Sequence, residues 1–126
     1  MPARSVLYLH AKPGQRSALV DTFVRIDVLG HAMAQEGCLG VEVQVPPDED
    51  GPLLVTALWR RREDYDGWLA NPWRAESTAE IAPHIADDQP VGVVYDVVLA
   101  AGSAEGAAAL ADPGHPPIEK WTEGEA

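Results

Sequence analysis

The 126-residue chain is short of basic residues, of cysteine and of long apolar runs. Nine Lys and Arg against twenty Asp and Glu give a formal net charge of −11, whereas nucleic acids and anionic membranes bind clustered positive charge. The single cysteine excludes an intrachain disulfide and a zinc site built from several thiolates. No apolar run approaches the roughly 18 residues of a transmembrane helix, and the N-terminus lacks a secretory pattern. We therefore expect a cytoplasmic protein that binds neither nucleic acid nor membrane.

The rest of the composition, 46% hydrophobic and 23% charged residues, is typical of one globular domain. The periodic apolar patterns of that domain lie within residues 1–100. Residues 101–126 are instead rich in alanine, glycine, proline and acidic residues, with Ile118 and Trp121 as large apolar side chains. This composition predicts either a disordered tail or an arm that docks on a partner subunit.

Alternating or β-branched apolar residues predict four strands. The cluster Pro46–Pro52 is rich in proline, glycine and acidic residues, which indicates a turn between the second strand and the third. These two strands should form an antiparallel hairpin. The four predicted strands are residues 5–12, 38–45, 53–60 and 91–99.

Apolar residues at helical spacing predict two helical regions between these strands. The first follows Pro13-Gly14, continues to Gln35 with an irregularity at Gly30, and ends at Gly37. The second contains a helix over residues 62–69 and another that runs toward Ile81. Asn71 should cap the latter helix, because Pro72 suits its first position.

The resulting order is β-α-β-β-α-β, which predicts an α+β, ferredoxin-like fold with an antiparallel sheet and its helices on one face. The other face of the sheet then needs a cover, and a second copy of the sheet is the simplest one. We expect a homodimer with a cavity between each sheet and its helices or loops.

Tyr8 and His10 are the strongest acid–base candidates on the first strand. Residues two apart on a strand share a face, so both side chains could enter one cavity. His10 titrates near neutral pH and suits a general base, although a lone strand histidine is more often only hydrogen-bonded. The histidines are scattered, with no pair at metal-ligand spacing, and no phosphate loop or dinucleotide fingerprint is present. These absences predict no metal and no cofactor.

Two junctions of the chain resemble the antibiotic biosynthesis monooxygenase superfamily of dimeric α+β barrels. One is Leu58-Trp59-Arg60 followed by residues 63–69, EDYDGWL; the other is residues 35–41, QEGCLGV. The resemblance covers residues 4–99. It implies the fold more specifically than the reaction, because one fold supports oxygenases, haem degraders, cyclases and members without known activity.

Comparison with two branches of the superfamily narrows the implied chemistry. The cofactor-free, quinone-forming monooxygenases resemble this chain at Trp59 and Tyr65, but the position of their asparagine is Val55 here. Their arginine on the second helical segment has only Arg74 nearby. In the haem-degrading branch the ligating histidine falls near Thr78, which is not a haem ligand, so we do not expect haem degradation.

The resemblance implies a cofactor-independent monooxygenase that uses dioxygen to convert a phenolic polycyclic aromatic polyketide into a quinone. Trp59 and Tyr65 would place the substrate, and His10 or Tyr8 would deprotonate the phenol. A polyketide cyclase or isomerase on the same scaffold and a non-catalytic accessory dimer remain alternatives. The residues expected to contact the substrate are His31, Trp59, Tyr65, Trp68, Trp73 and Arg74.

Overall fold

A computed structural model describes residues 1–111 of the chain. Its elements alternate as the sequence predicts, with each helical region divided into two helices. They are β1 (Ala3–Leu9), α1 (Arg16–Arg25), α2 (Val28–Met33), β2 (Cys38–Gln44), β3 (Leu53–Trp59), α3 (Arg62–Leu69), α4 (Pro72–Ile81), β4 (Val91–Asp96) and α5 (Ala104–Ala111).

The four strands form one open sheet in the order β2-β3-β1-β4, with every neighbouring pair antiparallel. This topology confirms the ferredoxin-like α+β fold. The hairpin of β2 and β3 is also confirmed. Each observed strand ends one to three residues before the predicted strand does. The apolar pattern continues past the last hydrogen bond between strands. Periodicity alone therefore does not locate the end of a strand.

The helices cover one face of the sheet and leave the other uncovered. Ser5 and Leu9 of β1 point toward the helices and are 7% and 2% exposed. Val6 and Tyr8 point to the other face, because side chains alternate along a strand. The register places Val6 beside Val93 on this uncovered face, which also contains the half-buried Leu58.

The first helical region breaks at Asp27, three residues before the predicted irregularity at Gly30. Asp27 adopts a left-handed conformation with φ of 55°, which ends α1. Its carboxylate then caps α2 by accepting a hydrogen bond of 3.1 Å from the Gly30 amide. A Cβ at position 30 would overlap this carboxylate, so a larger residue there would displace the cap.

The second helical region follows the prediction closely. α3 spans Arg62–Leu69, and Asn71 caps α4 by accepting a hydrogen bond of 2.9 Å from the Trp73 amide. Pro72 occupies the first helical position, where its missing N–H removes no helical bond.

Buried apolar side chains form two separate clusters between the sheet and the helices. One cluster surrounds Leu9, Phe23 and Leu53, and the other surrounds Trp59 and Trp68. Trp73, which is partly buried, packs against both clusters.

The segment expected to be a tail or an arm contains α5 at Ala104–Ala111. Ile118 and Trp121 lie outside the described residues, so an arm that docks on a partner subunit stays a prediction. No helix in the described part of the chain is long and apolar enough to cross a membrane.

Candidate active site

A cavity of about 320 Å³ lies between the helix-facing side of the sheet and the helices, and residues of both core clusters line it. Small-molecule sites usually enclose about 300–1,000 Å³, so this cavity suits a compact ligand. Apolar side chains from both clusters form most of its wall. The lining includes Ser5, Leu7, Val55, Ala57, Tyr65, Trp68, Arg74, Ser77, Thr78, Asp87 and Asp88.

Small residues on the sheet make room for the cavity. Ser5 pairs with Ala57, and in the next row Leu7 pairs with Val55 and Gly92. A Cβ at Gly92 would lie 3.5 Å from the Tyr65 hydroxyl oxygen, which is an ordinary contact. The missing side chain leaves space beside that hydroxyl.

Tyr65 supplies a phenol and Arg74 a cation to this mostly apolar wall. Burial raises the pKa of Tyr65 above its ordinary value of 10.0, and the Asp66 carboxylate raises it further, while the Arg74 guanidinium opposes both effects. The hydroxyl is therefore a protonated donor at neutral pH. Arg74 has no ion-pair partner among residues 1–111. A phenol at this position and a cation beside it can stabilise a negatively charged oxygen.

Ser77 and Thr78 also line the cavity, but their hydroxyl hydrogens are used within α4. Ser77 Oγ donates to the Arg74 carbonyl oxygen over 2.8 Å, and Thr78 Oγ1 donates to the same oxygen over 3.2 Å. These two hydroxyls therefore have no hydrogen left to offer a ligand.

Trp59 is not part of the cavity wall, contrary to the expected role in substrate placement. Trp59 is fully buried, and its indole N–H donates to Ser5 Oγ over 3.0 Å. The Tyr65 ring lies against it, with a centroid separation of 5.8 Å. Trp59 therefore contacts Ser5 and Tyr65 on the side away from the cavity. It is buried because the end of β3 lies under α3.

Tyr8 and His10 do not enter the cavity, so their expected joint placement there is wrong. Leu7 and Leu9 face the helices and line the cavity, whereas Tyr8 lies on the opposite face. His10 follows the end of β1, where its Nδ1 lies 3.0 Å from Asp87 Oδ1 and its side chain is 49% exposed. Alternation identifies two faces but not which one the helices cover.

His31 and Trp73 likewise lie outside the cavity wall, although both were expected to contact the substrate. Their rings stack on each other with centroids 3.7 Å apart and planes inclined by 5°. His31 Nδ1 also lies 2.9 Å from the Asp27 carbonyl oxygen. The stack joins α2 to α4. Of the expected substrate contacts, the structure brings together Tyr65, Trp68 and Arg74 in the lining.

Five polar lining residues were not predicted from the sequence: Ser5, Ser77, Thr78, Asp87 and Asp88. Ser5 precedes the apolar residues of β1 and has no motif around it. Asp87 and Asp88 belong to a short connection that ends at Pro90, and they have the composition of a solvated loop. Among residues 1–111, no group of three or more His, Cys, Asp or Glu side chains could hold a metal ion.

Comparisons with known proteins agree on one family. The sequence profile described as "Antibiotic biosynthesis monooxygenase" matches residues 2–80, more than half of the chain. No curated protein matches.

Three solved structures are similar to this chain. The structure of Rv0793 from Mycobacterium tuberculosis has a TM-score of 0.66 at 18% identity, and the match covers 81% of this chain and 100% of that one. NE2512, a protein of unknown function from Nitrosomonas europaea, has a TM-score of 0.65 at 20% identity over 82% of this chain and 95% of that one.

A protein assigned to the antibiotic biosynthesis monooxygenases of Chloroflexus aurantiacus J-10-fl is 29% identical, with a TM-score of 0.56, over 81% of this chain and 100% of that one. The first two similarities show the fold alone. Together with the profile match over residues 2–80, the ferredoxin-like sheet and its cavity place this chain in the antibiotic biosynthesis monooxygenase family.

Proposed function

We propose that the protein is a cofactor-independent monooxygenase that converts a compact phenolic aromatic compound into a quinone. The observation that supports this most is that Tyr65 and Arg74 line the same mostly apolar cavity, where the guanidinium acts electrostatically on the phenol. A flat aromatic ring fits apolar walls, while its oxygen needs donors that stabilise a phenolate. The cavity volume favours a substrate with few rings. The substrate would therefore be at the small end of the polycyclic polyketides that the family resemblance implies.

The proposed reaction consumes one dioxygen for each phenol. The phenol loses the hydroxyl proton, and the resulting phenolate passes electrons to dioxygen from a ring carbon. One oxygen atom becomes the new quinone oxygen, and the other leaves as water with the two hydrogens that the phenol loses. Dioxygen is the oxidant and the substrate is the reductant, so electrons balance without a bound cofactor.

The roles of the residues follow from their positions. Tyr65 and Arg74 would hold the phenolate oxygen, and Trp68 would contact the ring. The carboxylate residues in the lining, Asp87 and Asp88, would receive the proton that leaves. Tyr8 and His10 are not proposed as bases, because neither reaches the cavity.

A polyketide cyclase or isomerase is the second candidate. Val55 lines the cavity at the position where the resembling quinone-forming monooxygenases carry an asparagine. The same donors could stabilise the enolate of an aldol reaction, which needs no oxygen.

The subunits are proposed to form a homodimer through the uncovered face of the sheet. Proteins of this family are commonly dimeric. On this face Val91 and Tyr95 of β4 are 60% and 53% exposed. Exposed apolar side chains grouped on one side of a sheet mark an association surface, and here they lie on β1 and β4 beside the polar side chains of β2.

The test is oxygen uptake with 1,5-dihydroxynaphthalene, a compact phenol whose quinone is coloured. We expect quinone to form in a one-to-one ratio to the dioxygen consumed. Arg74→Gln should lower kcat by about 10²–10³, the usual effect of removing a donor from an oxyanion site. Arg25→Gln is the matched control, because Arg25 pairs with Glu80 on the surface.

Turnover of a polyketide-like substrate under strict anaerobiosis would instead support the cyclase. A panel of mono- and dihydroxynaphthalenes extends the test. If the protein oxidises none of them faster than they oxidise without protein, the monooxygenase is contradicted.

A further inference from the structure

Ser5 is a buried hydroxyl in the cavity wall whose hydrogen is free. The residue is 7% exposed and lines the cavity. Ser5 Oγ accepts the indole N–H of Trp59 over 3.0 Å. An indole is a donor only, so this bond uses a lone pair of the oxygen and leaves the hydroxyl hydrogen unused. That hydrogen has no acceptor among residues 1–111.

The other two aliphatic hydroxyls of the lining differ from Ser5 in this respect. Ser77 and Thr78 both donate to the Arg74 carbonyl oxygen. A buried polar group normally has its hydrogen bonds satisfied, so a free donor in a cavity wall indicates a ligand acceptor. Of the three aliphatic hydroxyls in the lining, Ser5 is the one that can donate a hydrogen bond to a ligand.

Ser5 also lies where the sheet side of the cavity wall has no other side-chain hydrogen-bond donor among residues 1–111. Ser5 pairs with Ala57 on β3, and Val55 lies in the adjacent row of the same face. Val55 cannot form a hydrogen bond, so this part of the sheet would otherwise offer a substrate oxygen no donor. Ser5 restores a donor one row away.

We propose that Ser5 donates a hydrogen bond to an oxygen of the bound aromatic substrate, and that Trp59 positions the Ser5 hydroxyl for this contact. Ser5 is thus a substrate-contacting residue and Trp59 a positioning residue. The ligand is an aromatic compound with a ring carbonyl or hydroxyl oxygen that reaches β1 while another oxygen lies near Tyr65 and Arg74. This inference rests on the proposed aromatic substrate but does not require that the protein oxidise it.

The test is calorimetric titration under anaerobic conditions with two probes, 1,5-dihydroxynaphthalene and naphthalene. Ser5→Ala should weaken binding of the diol by roughly three- to tenfold, the effect of one neutral hydrogen bond, and leave naphthalene unchanged. Thr22→Val is the matched control, since it removes a buried hydroxyl that lies outside the cavity lining and should change neither affinity. Trp59→Phe should shift the ratio of the two affinities in the same direction as Ser5→Ala.

Ser5→Ala leaves the Trp59 N–H buried without an acceptor, which could destabilise the fold. The double variant Ser5→Ala/Trp59→Phe removes both partners and avoids that penalty, and it should show the same loss of selectivity for the diol. Unchanged diol affinity in the folded variant, an equal loss for both probes, or no binding of the diol to the unaltered protein would each overturn the proposal. Absence of oxygen uptake would contradict the monooxygenase alone, because these affinities are measured without turnover.

Discussion

His10 binds Asp87 through two separate groups. The His10 backbone N–H donates to Asp87 Oδ2 over 2.6 Å, and the ring Nδ1 lies 3.0 Å from Asp87 Oδ1. Asp87 belongs to the five residues 86–90 that connect the isolated bridge at Ile85 to the start of β4. Because Asp87, Asp88 and Pro90 line the cavity, the end of β1 holds one wall of the candidate site in place.

Removing this contact should loosen residues 86–90. We expect His10→Ala or Asp87→Ala to speed backbone hydrogen exchange in this segment by about three- to tenfold, since a hydrogen bond between partly exposed groups contributes about 1 kcal/mol. Asp87→Ala should have the larger effect, because it also removes the acceptor of the His10 N–H. Asp88→Ala is the control, as Asp88 has no hydrogen-bonded side-chain partner in the described range. Equal exchange in all variants would mean that the backbone bonds alone fix the segment.

Replacing Arg74 should change the titration of Tyr65. Arg74 lowers the pKa of Tyr65 against the larger effect of burial, so Arg74→Gln should raise this pKa further above its ordinary value. Tyrosine NMR signals followed through alkaline pH would report it, with Arg25→Gln as the control. An unchanged titration would place the guanidinium too far away to stabilise a phenolate.

The same shift gives stability a pH dependence with a defined sign. The folded protein holds the Tyr65 proton more tightly than the unfolded chain does, because its pKa is raised on folding. The free energy of unfolding therefore does not depend on Tyr65 below pH 10.0 and falls as pH rises through and above that value. Tyr65→Phe should remove this part of the alkaline loss, as measured by urea unfolding.

Gly37 should tolerate substitution less well than Gly14. Both have positive φ, 81° and 75°, so alanine is strained by roughly 1–2 kcal/mol at either position. At Gly37 an added Cβ would also lie 2.1 Å from Asp64 Oδ2, whereas at Gly14 it meets nothing within 4 Å. We expect Gly37→Ala to lower the free energy of unfolding more than Gly14→Ala does. Equal losses would show that the Asp64 side chain moves aside freely.

The proposed homodimer should depend on the centre of the uncovered sheet face. Val6 pairs with Thr56 on one side and Val93 on the other, so Val6→Arg places a charge in the middle of that face. Sedimentation equilibrium should then give the 13.5 kDa monomer, where the unaltered protein gives twice that mass. Val24→Arg is the matched control, because Val24 is 51% exposed on α1. A monomer for the unaltered protein would rule out the dimer.

Much of the fold follows from local pattern, while much of the site does not. Pro72 after Asn71 and the turn residues before Leu53 act within a few positions, so their structural effects could be predicted. Asp27 could not, because a left-handed residue other than glycine has no distinctive local signal.

The site depends on partners that are remote in sequence. Trp59 and Ser5 are 54 positions apart, and only the register of β1 against β3 brings the indole N–H to the hydroxyl. The exposure of Tyr8 and His10 likewise depends on which face of the sheet the helices cover. Periodicity gives two faces of β1 and leaves that choice to tertiary packing.

The position of the cavity, lined by residues of both core clusters, links ligand binding to thermal stability. A ligand in the cavity contacts side chains of both clusters, such as Leu9 of one and Trp68 of the other, and it binds only the folded chain. A compound at a hundred times its Kd adds about 2.7 kcal/mol to the folded state. The melting temperature of the purified protein can therefore rank a library of small aromatic compounds by affinity, including compounds that bind in the cavity and do not react there.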